Sequence, residues 1–252
     1  MFRTRMVLLV LVLVVAGCSS SGGKKTGASN APSSSAPSTD LAQAVTLGNT
    51  MRKGMTGLTS AHISVDAGTL GGKSVGDVKY ANGQATASRI TLDVGGRTEI
   101  VTVDDKTYAM LPPGRNTSGK PWVIVSSASK NEFVRALDSQ ATISKAAASL
   151  PAVADVAATA TSVQDMGNST KGHHYALQIE PARSSGTTLG ALLANIGQKT
   201  VPVDVYLDSK GRPVLIKIAV KLGTQSLPVT IAVSRFDESL AITAPPANEV
   251  AS

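Results

Sequence analysis

The chain has 252 residues, long enough for one large domain or two small ones with a sizeable core. A hydrophobic fraction of 42% excludes disorder over the body of the chain, and an aromatic fraction of only 3% argues against a single-strand nucleic-acid binder, which stacks bases on rings. The formal charge of +7 does not restore that function: Arg3, Arg5, Lys24 and Lys25 precede the first acidic residue, Asp40, so the rest carries only +3, too little for a phosphate-binding footprint.

Arg3 and Arg5 stand ahead of an unbroken apolar run from Met6 to Ala16. Eleven helical residues span about 16 Å, well short of the ~30 Å hydrocarbon core, so the run reads as the apolar part of an export signal. It ends in Val15-Ala16-Gly17-Cys18. Small residues before a cysteine at that place resemble the bacterial lipobox. The resemblance implies a signal peptide over 1–17, cleavage before Cys18 and attachment of diacylglycerol to its thiol. The bland alternative is a secretory signal that happens to end in cysteine. Cys18 is the single cysteine, so no disulfide is expected despite an exported, oxidising setting. Two acyl chains, at about 0.8 kcal/mol per buried methylene, anchor stably. The expected location is the extracytoplasmic face of the cell membrane, in the envelope. Residues 18–39 are the acylated cysteine and a tether of small and polar residues, with an end-to-end distance of roughly 25 Å for a flexible chain.

Residues 40–245 read as one domain. Leu41, Val45, Leu47, Met51, Met55 and Leu58 recur at near-helical spacing, with Thr39 or Asp40 as a cap and an end near Gly54 or Gly57. The period then changes to two. Ile63 and Val65 share a face, as do Val78 and Tyr80, and Asn82-Gly83 predicts a hairpin turn. Ile90, Leu92 and Val94 follow, then a hairpin about Asp104-Asp105, a Pro/Gly-rich loop from 112 to 121 and a short strand at Trp122. Residues 129–150 are expected to be helical, with Ser129 and Glu132 in capping-box spacing, and Pro151 breaks or restarts the helix. Strands resume near Ala160, clearest over 174–180. A third helix over 187–198 puts Leu189, Leu192, Leu193 and Ile196 on one face. Three alternating strands follow: Val201 to Leu207, Val214 to Val220 and Leu227 to Val233. The Pro/Ala-rich end, 246–252, is expected to fray. Strands with one apolar face indicate an antiparallel sheet solvated on one side. The predicted class is α+β: a strongly curved antiparallel sheet, a half-open β-barrel, with helices packed in its concave face.

This order, with Gly76-Asp77-Val78-Lys79-Tyr80, Thr107-Tyr108-Ala109-Met110-Leu111 and Lys120-Pro121-Trp122-Val123, resembles the LppX, LprA, LprF and LprG family of actinobacterial envelope lipoproteins, whose shape is related to the LolA and LolB carriers. The resemblance implies an apolar cavity beneath the sheet. It also implies a role in binding acylated lipids or glycolipids and moving them across the cell envelope, with an envelope transporter as a candidate partner. The expected lining is Ile63, Val65, Val78, Tyr80, Ile90, Leu92, Leu192, Ile196, Val205, Ile216, Ile218, Val229 and Ile231. A monomer is expected. The alternative is an envelope scaffold or sensor lipoprotein with a filled core that binds a protein.

Signals for catalysis are poor, and no enzyme, cofactor or metal is expected. His173 and His174 are adjacent, so on a strand they point to opposite faces, and His62 stands alone. No metal-binding histidine spacing and no nucleophile elbow occurs. Gly68 to Gly72 lacks the Lys-Ser/Thr of a phosphate loop, and Asp104, Asp105 and Asp208 read as turn residues. Asn116 and Asn168 fit the glycosylation sequon, which a bacterial lipoprotein rarely uses. Lys217 and Lys221 share a polar strand face.

Overall fold

A computed structural model describes residues 37–251, apart from 69–71, 94–95, 116–118, 139–148, 195–196 and 223–224. Period-two alternation becomes strands: β1 (Ser60–Asp66), β2 (Lys73–Ala81), β3 (Gln84–Asp93), β4 (Arg97–Val103), β5 (Lys106–Met110), β6 (Trp122–Ile124), β7 (Ser162–Ser169), β8 (Gly172–Ile179), β9 (Val201–Leu207), β10 (Pro213–Leu222), β11 (Gln225–Ser234) and β12 (Val250–Ala251). Helical spacing becomes α1 (Pro37–Gly54), α2 (residues 132–138), α3 (Leu150–Ala157) and α4 (Thr188–Ala194). The strands form one sheet in the order β12-β6-β5-β4-β3-β2-β1-β11-β10-β9-β8-β7. The expected α+β class, an open, curved, mainly antiparallel sheet with helices on its inner face, is what the chain adopts.

The turn chemistry is visible in the backbone. Asn82 and Gly83 both take positive φ, as do Asp104 and Asp105, which is the twist a two-residue hairpin needs. Asp208 closes its turn by accepting from the amides of Lys210 and Arg212, each at 2.9 Å.

The helices differ from expectation at their starts. α1 begins at Pro37, ahead of the boundary expected at Asp40, so Thr39 and Asp40 lie in its first turn. Its inward stripe is Ala44, Leu47 and Met51, while Val45 is 49% exposed. Asn131, not Ser129, caps α2: its Oδ1 accepts from the amides of Phe133 and Val134. The expected helix over 139–148 lies outside the described residues. Pro151 restarts a helix, sitting in the first turn of α3, where its missing N–H costs nothing. α4 is shorter than the predicted 187–198, and Thr187 caps it by accepting from the Gly190 amide.

The main core lies between the inner face of the sheet and helices α1, α3 and α4. α1 packs on α3 through Gly48, where a Cβ would come within 2.6 Å of Ala158 Cβ and 2.9 Å of the Ala154 carbonyl oxygen. Arg52 ties the pair by donating from Nε (3.0 Å) and Nη2 (2.8 Å) to Asp155. A smaller core gathers Ile90, Leu92, Ile100 and Leu111 with Val134 and Leu137 of α2.

Two expectations need correction. The sheet is not solvated over the whole of its second face: Val101 and Trp122 pack there with Ile242, against Leu240 and Val250. The C-terminal segment does not fray, because Val250 and Ala251 pair in parallel with Trp122 and Val123 as edge strand β12. The Pro-rich sequence before it suits a strap crossing the sheet, since a residue before proline is held extended.

Candidate functional site

Parity decides what the strands offer the helices. On β8, β9, β10 and β11 the inward positions are Leu177 and Ile179, then Val203 and Val205, then Ile216 and Ile218, and Ile231. Above them lie Val153, Val156 and Ala157 of α3 and Leu189 and Leu193 of α4. These twelve side chains enclose a void of about 20 Å³. Every one is aliphatic. The void holds about one water-sized sphere, and with no polar partner it stays dry.

Of the residues expected to line a cavity, Val205, Ile216, Ile218 and Ile231 face this void. Ile63, Val65, Val78, Tyr80 and Val229 belong to the same core without lining the void. Ile90 and Leu92 do not join them: they lie beneath α2 in the smaller core, because the sheet is too broad for one cluster to span it. The side chains of Leu192 and Ile196 lie outside the described residues. The lining residues not foreseen are those of α3, Leu189 and Leu193 of α4, and Leu177, Ile179 and Val203. Val203 had the same parity as Val205, and the spacing Leu150, Val153, Ala157 carried the helical signal across Pro151.

Beside this void is a groove of about 570 Å³ between α1 and the edge strand β7. Ala42, Gln43, Thr46, Leu47 and Thr50 line it from α1, with Val163, Gln164 and Asp165 of β7 and Tyr175 of β8. Tyr175 and Leu177 are two residues apart on one strand face, about 7 Å. One lies in the groove and the other in the void. Asp165 bonds the Gly167 amide (2.8 Å) and His173 Nε2 (2.7 Å), and these two contacts, in that order, hold its carboxyl below the usual range. Burial, and then the Asp165 charge, push the Tyr175 phenol up.

The other histidines are also partnered. His62 bonds Asp77 at 2.7 Å and meets Arg235, and His174 bonds Asp204 at 2.8 Å while stacking on Tyr206. Lys217 stands 5.7 Å over the Tyr206 ring. Among the described residues no three metal-ligating side chains come together.

Two solved structures share the fold of this chain. Mycobacterium tuberculosis lipoprotein LppX matches over 80% of this chain and 99% of its own, at 15% identity and a TM-score of 0.53. LprF from Mycobacterium bovis matches over 82% of this chain and 98% of its own, at 16% identity and a TM-score of 0.52. This chain has the LppX/LprF fold. No family model and no curated protein matches the sequence. Within the LppX/LprF fold, the void and the groove are two compartments on the helix side of the sheet.

Proposed function

We propose that this chain is a membrane-anchored envelope lipoprotein that shelters acyl chains of a lipid or glycolipid between its sheet and helices and helps carry them across the envelope. The observation that supports this is the aliphatic void, roofed by α3 and α4, helices of eight and seven residues. The fold shared with LppX, itself described as a lipoprotein, agrees with attachment through Cys18.

The void is far too small for an acyl chain as it stands. A chain can enter only if α3 and α4 move off the sheet. Such movement exposes aliphatic surface, which the incoming chain covers again. Each buried methylene contributes about 0.8 kcal/mol, on the order of 10 kcal/mol gross for a chain of typical length. That gain offsets the separation of two short helices. Direction must come from a partner, because nothing in the site supplies energy.

The smallness of the void also favours a second reading, a scaffold lipoprotein with a filled core. Transfer of a fluorescent acyl lipid between vesicles separates the two. The full chain should accelerate transfer, and Ile218→Trp, which fills the void, should slow it at least tenfold while the fold persists by circular dichroism. No acceleration by the parent chain, with no acyl lipid in its organic extract, would leave the scaffold reading standing.

A further inference from the structure

We propose that the groove between α1 and β7 receives an uncharged, hydroxyl-bearing group and turns away anionic ones. Its volume of about 570 Å³ falls within the range of small-molecule sites. Among the described residues no Lys or Arg lines it, and the charged lining residue is Asp165. Phosphate recognition relies on cationic donors, preferably paired ones. A phosphate here would instead meet a carboxylate, one kept ionised by the Gly167 amide and His173.

The remaining polar groups suit a polyol. The contacts of Asp165 use Oδ1, and Oδ2 accepts no hydrogen bond among the described residues. The amides of Gln43 and Gln164 and the Tyr175 hydroxyl make none there either, and each can donate as well as accept. Thr46 and Thr50 donate back to carbonyls of their own helix, which leaves their oxygens free to accept. Hydroxyl groups need that mixture of donors and acceptors, whereas a cation uses acceptors alone. A peptide strand is a poor occupant. β7 bulges between Asp165 and Gly167, with Gly167 at φ +78°, so its edge is twisted away from regular pairing.

The lipid-borne form of this inference rests on the carrier reading: a lipid with its chain near Leu177 would place its headgroup beside Tyr175. The test uses the full chain in nanodiscs and two lipids with identical chains, a monoglucosyl diacylglycerol and phosphatidylglycerol. The parent chain should transfer the glucosyl lipid at least tenfold faster. Asp165→Asn should reduce that preference severalfold. Gln43→Arg, on the exposed side of α1, should draw in phosphatidylglycerol without disturbing the fold. Equal transfer of both lipids by the parent, or a preference unmoved by both variants, overturns the proposal. If neither lipid is transferred, the carrier reading fails by itself. Titration with methyl glucoside and with inorganic phosphate, read by NMR at Gln43, Gln164 and Tyr175, then decides the groove. Shifts with the glucoside alone sustain it, and their absence, or equal shifts with phosphate, ends it.

Discussion

Single residues hold the turns and helix pairs in place, and two of them can be tested directly. Burial alone would raise the Asp208 carboxyl, but hydrogen bonds from the Arg212 amide and side chain and from the Lys210 amide outweigh it and leave it lowered. Arg212 in turn lies 4.0 Å over the Phe236 ring and donates to Asp237. A carboxyl lowered on folding adds stability above its unfolded value. That contribution disappears as pH falls through the folded value, which here lies below the usual carboxylate range. Asp208→Asn should therefore cost about 1–2 kcal/mol at neutral pH, after allowance for solvent screening. The gap between the variant and the parent chain should close as pH falls below about 4, as read by urea unfolding. Gly48→Val should force α1 from α3, with an overpacking cost of about 1–3 kcal/mol. An unchanged unfolding midpoint would mean the two helices are not held at that distance. The partners of Gly48 and of His62 were not legible in the sequence. His62 reads as solitary because Asp77 and Arg235 reach it only through strand pairing and the end of β11. Asp208 was legible, because a turn residue acts on its own neighbours.

The elements followed local pattern wherever pattern was sufficient. Alternation located the strands, and Asn82-Gly83 and Asp104-Asp105 fixed two hairpins. Pattern failed where partners are distant. Ile90 and Leu92 have the same parity rule as Val205 and Ile216, yet lie in a different core, since period two assigns a face and not a position across a broad sheet. The C-terminal strap has no period to read. Ile242 and Val250 are apolar residues among prolines and alanines, and their reason for being there is Trp122, more than a hundred residues earlier. The strap is held at both ends: Ser60 Oγ donates to the Glu238 carbonyl at 2.6 Å, and Lys120 Nζ donates to the Val250 carbonyl at 2.9 Å. Trp122 is the chain's single tryptophan and is 8% exposed, so the chain's tryptophan emission reports the patch that the strap covers. Ile242→Ala should cost about 2 kcal/mol and shift that emission to the red. A blue-unshifted, parent-like spectrum together with unchanged stability would mean the strap does not cover the tryptophan.

For the molecule as a whole, the central question is whether the aliphatic interface of sheet and helices opens. A filled core and a collapsed binding site look alike at rest, but they respond differently to an added void and an added chain. Ile216 is 2% exposed and lines the void, so Ile216→Ala enlarges a space already unfilled and should cost about 2–5 kcal/mol. A single-chain lipid that binds only the folded state raises stability with its concentration, by about 2.7 kcal/mol at a hundred times its dissociation constant. In a filled core only the Ile216→Ala cavity accepts the chain, so the lipid stabilises the variant and leaves the parent unchanged. In a site that opens by moving α3 and α4, the parent is stabilised too. Ile218→Trp, which occupies the same space, then loses the effect. We expect the second pattern in thermal unfolding with increasing monoacyl lipid. Stabilisation confined to Ile216→Ala would show that the helices stay on the sheet and that the LppX/LprF fold serves another purpose in this chain.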